Sequence, residues 1–220
     1  MKYVTFSYDD GVTQDKRLVE IFNKYGMKCT FNLNSGIMSE DSCWDNNGVH
    51  IRRMTAEEIG NLYDGHEIAC HFLTHPLPFE LDDKTLDYEI GKDIENLSKM
   101  FDCEIVGCAY PYGQYDDRVV AALKKHGIKY ARTCGTTSNF APQTDLLRFM
   151  STCHHKDEKL FELAERFISE KSDDEKKVFY IWGHSYEFDV DNNWDRIEKL
   201  CKMLSEHSDI IPVTNSQALL

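Results

Sequence analysis

Lys2-Tyr3-Val4-Thr5-Phe6-Ser7-Tyr8-Asp9-Asp10-Gly11 opens the chain with a β-prone run that stops on two carboxylates and a glycine. Residues 2–8 read as a strand, and Gly11 lets the chain turn sharply. Over residues 13–25, Leu18, Val19, Ile21 and Phe22 fall on one helical stripe that Gly26 ends as a C-cap. Cys29-Thr30-Phe31-Asn32-Leu33 then reads as a second strand. Strand, helix, strand is the unit that pairs strands in parallel through a right-handed crossover.

The same alternation continues outward. After a polar stretch over 34–50, Thr55 and Glu58 form a capping box for a helix over 55–63, and Gly65 leads into a strand over 66–71. Leu86, Ile90, Ile94 and Leu97 mark a helix over 83–101, and 104–109 is short and strand-like. A helix over 116–126, a strand over 128–132 and a turn-rich passage to 146–150 follow. An amphipathic helix over 158–169, strands over 178–182 and 210–214, and a helix over 194–206 complete the chain. The expected fold class is α/β: a distorted barrel of about seven parallel strands, with an open doubly wound sheet as the competing architecture. In a parallel barrel the active site lies at the C-terminal ends of the strands, so polar residues there direct the search.

A chain of 220 residues, 41% hydrophobic, with 5 Pro, no repeat and no linker-like run, is expected to form one domain over 1–220. Its formal charge of −13 and lack of a Lys/Arg cluster exclude binding driven by a nucleic-acid backbone. That charge points to a neutral or cationic ligand, although an acidic surface is also ordinary for a soluble enzyme. No segment is apolar enough to span a membrane. Read as the natural start, residues 1–10 leave no room for a signal peptide and imply a cytoplasmic protein. Eight scattered cysteines without a Cys-x-x-Cys pair are expected to be free and mostly buried.

Asp9 and Asp10 repel each other unless a cation binds one and leaves the other ionised as a base; the plain alternative is a helix N-cap and loop. The run Gly65-His66-Glu67-Ile68-Ala69-Cys70-His71-Phe72-Leu73-Thr74-His75-Pro76 carries two histidines four apart. That spacing faces both imidazoles one way on a single helical turn at the strand end, with Pro76 preventing a longer helix. Asp10, His71 and His75 together match the three protein ligands of a catalytic zinc site.

These residues resemble the polysaccharide deacetylase family, also called carbohydrate esterase family 4 or the NodB homology domain. Ser7-Tyr8-Asp9-Asp10-Gly11 is similar to its first motif, and the run from Gly65 through His71 and His75 to its second. Ala109-Tyr110-Pro111-Tyr112-Gly113 is similar to its third, and Ile181-Trp182-Gly183-His184 to its last. The resemblance implies that Asp9 is the catalytic base, that Asp10, His71 and His75 hold Zn²⁺ (or Co²⁺ or Mn²⁺), and that His184 is the general acid. It also implies that the Tyr112 N–H faces the oxyanion. Chemistry agrees, because an acetamide needs a polarised carbonyl, a deprotonated water and a protonated leaving amine. Taken alone, His184 could equally satisfy a backbone carbonyl.

Two positions depart from the pattern. The arginine that opens the family's third motif is Ala109 here, with Arg132 and Arg148 as candidate replacements, and no Asp-Trp pair stands between Tyr130 and His155 to orient the acid. His154 has no assigned role. Three functions follow. One is removal of N-acetyl groups from a sugar or short oligosaccharide. The others are hydrolysis of another amide, such as a cyclic imide or ureide, and a non-catalytic carbohydrate-binding relic.

Overall fold

The computed structural model describes residues 1–171 and 175–220. In chain order the elements are β1 (Lys2–Asp9), α1 (Asp15–Lys24), β2 (Cys29–Leu33), β3 (Cys43–Asn46), β4 (Val49–Arg52), α2 (Ala56–Ile59) and β5 (Glu67–Cys70). They continue as α3 (Asp83–Phe101), β6 (Gly107–Ala109), α4 (Asp117–Lys125), β7 (Tyr130–Thr136), β8 (Phe149–Ser151), β9 (Cys153–His154) and α5 (Leu160–Ser169). The last are β10 (Lys177–Gly183), α6 (Glu187–Val190), α7 (Trp194–Ser205), β11 (Ile210–Pro212) and α8 (Asn215–Leu219).

The main sheet runs β8-β7-β6-β5-β2-β1-β10-β9, every pair parallel. β8 and β9 are successive pieces of one stretch, 149–154, which pairs with β7 at its start and with β10 at its end. Both edges of the sheet therefore meet on it, and β1, β2, β5, β6, β7, that stretch and β10 form a distorted barrel. β11 pairs with Lys2–Val4 of β1, beside the segment that β2 covers.

Alternation along β1 shows how the sequence splits the two faces. Val4, Phe6 and Tyr8 join the apolar layer under the helices, with Leu18, Val19, Ile21 and Phe22 of α1 packed there. Thr5, Ser7 and Asp9 point the other way, into polar contacts with Asn215 and Asn32. The barrel's lower end is closed by α8: the Asn215 and Ser216 N–H groups donate to Thr30 and Glu67, and Tyr130 also donates to Glu67. α8 is too short to show periodicity, but Thr214 and Gln217 form its capping box.

Register places the functional end. Asp9 is level with Asn32, Asn32 with Ala69, Leu33 with Cys70, and Cys70 with Cys108. Ala109 is level with Arg132, Tyr8 with Gly183, and Trp182 with His154. In-register parallel strands thus deliver Asp9, His71, Arg132, His154 and His184 to one rim.

Two expectations need correction. The helix expected over 55–63 is only Ala56–Ile59, although its capping box forms. The polar stretch over 34–50 contains most of the antiparallel hairpin β3–β4, turned at Asn47 and Gly48, both with positive φ. Asn-Gly is a strong hairpin signal, so this element was legible. All eight cysteines are free, and Cys43, Cys103 and Cys134 are exposed. No helix among the described residues is long and apolar enough to cross a membrane.

Candidate active site

The chain leaves β1 through two left-handed residues, Asp10 at φ 82° and Gly11 at φ 64°. This turn swings the Asp10 carboxylate away from that of its neighbour. Asp9 accepts hydrogen bonds from Asn32 Nδ2 at 2.8 Å and from Arg132 Nη2 at 2.5 Å. Burial alone would raise its pKa, but Arg132, with His71 and His184, overcomes this and brings it down to about 2. Arg132 is itself 1% exposed and stacks over the Trp182 ring at 4.2 Å. Of the two candidates to replace the missing arginine, Arg132 meets Asp9, whereas Arg148 pairs with Asp117 and Asp145 at the surface.

His71 and His75 do come together, their ring centroids 4.8 Å apart, but not on a helical turn. Phe72 and His75 both adopt positive φ, and the resulting loop is held by polar groups from below. Asn34 Nδ2 donates to the carbonyls of His71 and Phe72, Asp93 accepts the His71 N–H, and Glu89 accepts the N–H and hydroxyl of Thr74. These contacts cover the backbone groups that a helix would have satisfied internally.

His71 Nδ1 lies 2.8 Å from the Ala109 carbonyl. A carbonyl only accepts, so Nδ1 carries the proton and Nε2 keeps its lone pair toward the carboxylates. Burial keeps both imidazoles neutral, lowering His71 and bringing His75 down to about 4. The ligand atoms of Asp10, His71 and His75 all lie within 4.8 Å of one another. A tetrahedral ion with bonds of about 2.0–2.1 Å sets ligand atoms about 3.4 Å apart, so a small inward rotation of these side chains suffices. The donor set and spacing fit a divalent transition metal.

His184 leaves β10 opposite this triad. Its Nδ1 is 3.3 Å from Glu187 Oε2 and its Nε2 is 3.9 Å from Asp9 Oδ2. Burial would lower the imidazole, but Glu187, Asp9 and Asp10 raise its pKa to about 9. Glu187 Oε2 also lies 3.2 Å from His154 Nε2 and 3.2 Å from His155 Nε2. Despite its burial, Glu187 stays far below the usual carboxylate range because the three imidazoles converge on it.

Glu187 therefore gives His184 a carboxylate partner in a chain that lacks the Asp-Trp pair, and His154 gains a place beside it. Sequence reading missed Glu187, whose signal was its position three residues after His184 at a strand end. His154, His155 and Glu187 are close enough to hold an ion themselves. However, His154 Nδ1 accepts the Lys156 N–H, so its Nε2 carries a proton toward Glu187 and offers no lone pair.

Gly183 makes room for this cluster, since a Cβ there would lie 2.1 Å from His155 Nδ1. Gly183→Ala is expected to destabilise the protein by about 1–3 kcal/mol, as overpacking does, and to lower its melting temperature by several degrees. A calorimetric scan checks this, and an unchanged transition would contradict the close packing of Gly183 on His155.

Tyr112 is 59% exposed at φ 55°, with its ring 4.5 Å from that of His75. It lines a cavity of about 380 Å³ with Asp10, Trp44, Arg53, Thr74 and His75. Trp182 is buried, and Tyr186 meets Trp44 edge to face at 5.5 Å.

The model of the family described as polysaccharide deacetylase matches residues 1–131. No curated protein sequence matches the chain. Among solved structures, the chain is similar to the Streptococcus pyogenes deacetylase PplD in complex with acetate (20% identity, TM-score 0.52, 59% of this chain and 55% of that one). It is similar to a family 4 acetyl xylan esterase from Clostridium thermocellum in complex with a cobalt ion (14%, 0.62, 99% and 90%). It is also similar to BA3943, a family 4 pseudoenzyme from Bacillus anthracis (16%, 0.62, 100% and 66%). The chain thus spans 55% and 66% of the length of the first and last of these. These likenesses bear on the fold, while the family model covers more than half of the sequence and includes the carboxylate pair, both loop histidines and the third motif. The chain belongs to the polysaccharide deacetylase family.

Proposed function

We propose that this protein is a metal-dependent hydrolase that removes N-acetyl groups from a sugar or short oligosaccharide. The observation that carries the reading is the position of Asp9, ionised and held by Arg132 and Asn32, between the Asp10, His71 and His75 triad and the His184 imidazole. Asp10, His71 and His75 would hold Zn²⁺, or Co²⁺ or Mn²⁺ in its place. Such an ion supplies Lewis-acid polarisation of an acyl carbonyl and acidifies water.

The remaining roles belong to the chain's own groups. Asp9 accepts the proton of the attacking water, and its fixed bonds to Arg132 and Asn32 keep it in place as it does so. His184, carrying a proton at neutral pH, delivers it to the departing nitrogen and so prevents expulsion of an amide anion. The Tyr112 N–H serves the oxyanion, as the family's third motif implies. The acetate and cobalt in the relatives named above are in keeping with this chemistry.

Protein stripped with a chelator is expected to release no acetate from N-acetylglucosamine oligomers, and zinc, cobalt or manganese is expected to restore release. Ring opening to a half-amide or a carbamoyl-amino acid, with no acetate released, would point instead to a cyclic imide or ureide. Glycan binding without any turnover would match a relic of the pseudoenzyme kind. Against a relic stand Arg132 and Glu187, which meet the base and the acid where the family motifs are missing.

A further inference from the structure

The hairpin β3–β4 and the residue after it bring two side chains over the site that the polar stretch did not suggest. Arg53 lies 2.7 Å from Asp10 Oδ1 through Nη2 and donates through Nη1 to Ser42. Its guanidinium sits 4.9 Å above the Trp44 ring, it is 11% exposed, and its buried Nε–H meets no acceptor among the described residues. Both Arg53 and Trp44 line the cavity that holds Asp10, His75 and Tyr112.

Each carboxylate of the site has a cationic neighbour: Arg132 for Asp9, His184 for Glu187 and Arg53 for Asp10. The first two pairs are needed to hold the base and the acid. The third is different, because a divalent ion held through one Asp10 oxygen would offset that carboxylate's charge even while Arg53 kept its bond to Asp10. Among the described residues Arg53 is the only cationic side chain lining the cavity, and Asp10, its one carboxylate, would then be shared between the ion and the guanidinium. An isolated acetamide is neutral and gives this guanidinium nothing to pair with.

We propose that Arg53, backed by Trp44, selects acetylated amino sugars that carry a carboxylate near the acetamido group. This deepens the deacetylase reading and rests on it. A planar guanidinium matches a carboxylate through two parallel N–H bonds, and stacking on an indole keeps its plane fixed. The net charge of −13 by itself points to a neutral or cationic ligand, but that charge is summed over the chain, whereas the ligand meets the local balance in the cavity.

The test compares acetate release from N-acetylglucosamine with release from its 3-O-lactyl ether and its 6-carboxylate, using metal-loaded wild type, Arg53→Gln and Arg53→Lys. Calorimetry on the corresponding deacetylated sugars, which are not turned over, reads binding apart from chemistry. A zinc titration reads the effect on Asp10. Wild type is expected to favour one carboxylate form by about 10- to 100-fold in both kcat/KM and affinity, the range of a charge-assisted pair. Arg53→Gln is expected to bring that ratio to about one, with Arg53→Lys between, and the two carboxylate forms locate the anion. Absence of a preference in wild type, or equal losses on neutral and anionic sugars that track weakened zinc binding, would overturn the proposal. Failure of all acetate release would count against the deacetylase reading, while the binding ratio still decides the selectivity.

Discussion

Asp9→Asn is expected to lower acetate release by about 10²- to 10⁴-fold while zinc still binds, because the variant keeps Asp10, His71 and His75 and removes only the proposed base. It is also expected to be less stable. Arg132 is 1% exposed and its partner carboxylate would be gone, a situation that typically costs about 3–5 kcal/mol. In a protein of this size that corresponds to a fall of about 2–4 °C in melting temperature per kcal/mol. The pH dependence has a definite sign. The Asp9 pKa is brought down to about 2 in the folded state, below its ordinary value near 3.8. Its stabilising contribution is therefore present above about pH 4 and lost as pH falls toward 2. The gap in melting temperature between wild type and Asp9→Asn should narrow over that window. Parallel loss of zinc affinity would show that Asp9 is a ligand and not the base.

The barrel was legible because its signals are local. Strand runs ending in polar residues, helical stripes and capping residues place most elements within a few residues of their observed positions, while the short β3, β4, β9, α6 and α8 are missing from that reading. The triad was legible for the same reason, since Asp10 and both histidines lie in two short motifs. What depends on register was less accessible: sequence reading named Arg132 and Arg148 as candidates to meet Asp9 but could not choose between them. Ala109 is level with Arg132 on the neighbouring strand, so the positive charge that meets Asp9 has moved one strand over. No spacing along the chain reveals that neighbour. Glu187 is similar, because its meaning comes from His154 and His155 arriving on β9 and just beyond it, more than thirty residues earlier in sequence. The helical turn expected at His71 to His75 failed for a physical reason. Asn34, Glu89 and Asp93 satisfy the loop's backbone from outside, which permits two positive-φ residues where a helix would permit none.

Glu187→Gln should separate proton delivery from the rest of catalysis. Glu187 receives His184 Nδ1, which leaves Nε2 facing Asp9 and the reacting centre. A glutamine can still accept through one oxygen, so the cluster of His154, His155 and His184 keeps a partner. It cannot stabilise an imidazolium as a carboxylate does. The His184 pKa, raised to about 9 by Glu187, Asp9 and Asp10, should therefore fall, and the alkaline limb of turnover should move toward the unperturbed value near 6.5. On an acetamido sugar, whose amine must be protonated as it leaves, a loss of about 10²- to 10⁴-fold at pH 8 is expected. On an aryl acetate, whose phenolate leaves without help, the same variant should keep most of its activity. The contrast matters more than either value, because disruption of the rim would depress both reactions. An equal loss on both substrates, with an unmoved alkaline limb, would assign Glu187 to holding the fold and leave His184 to find its orientation elsewhere.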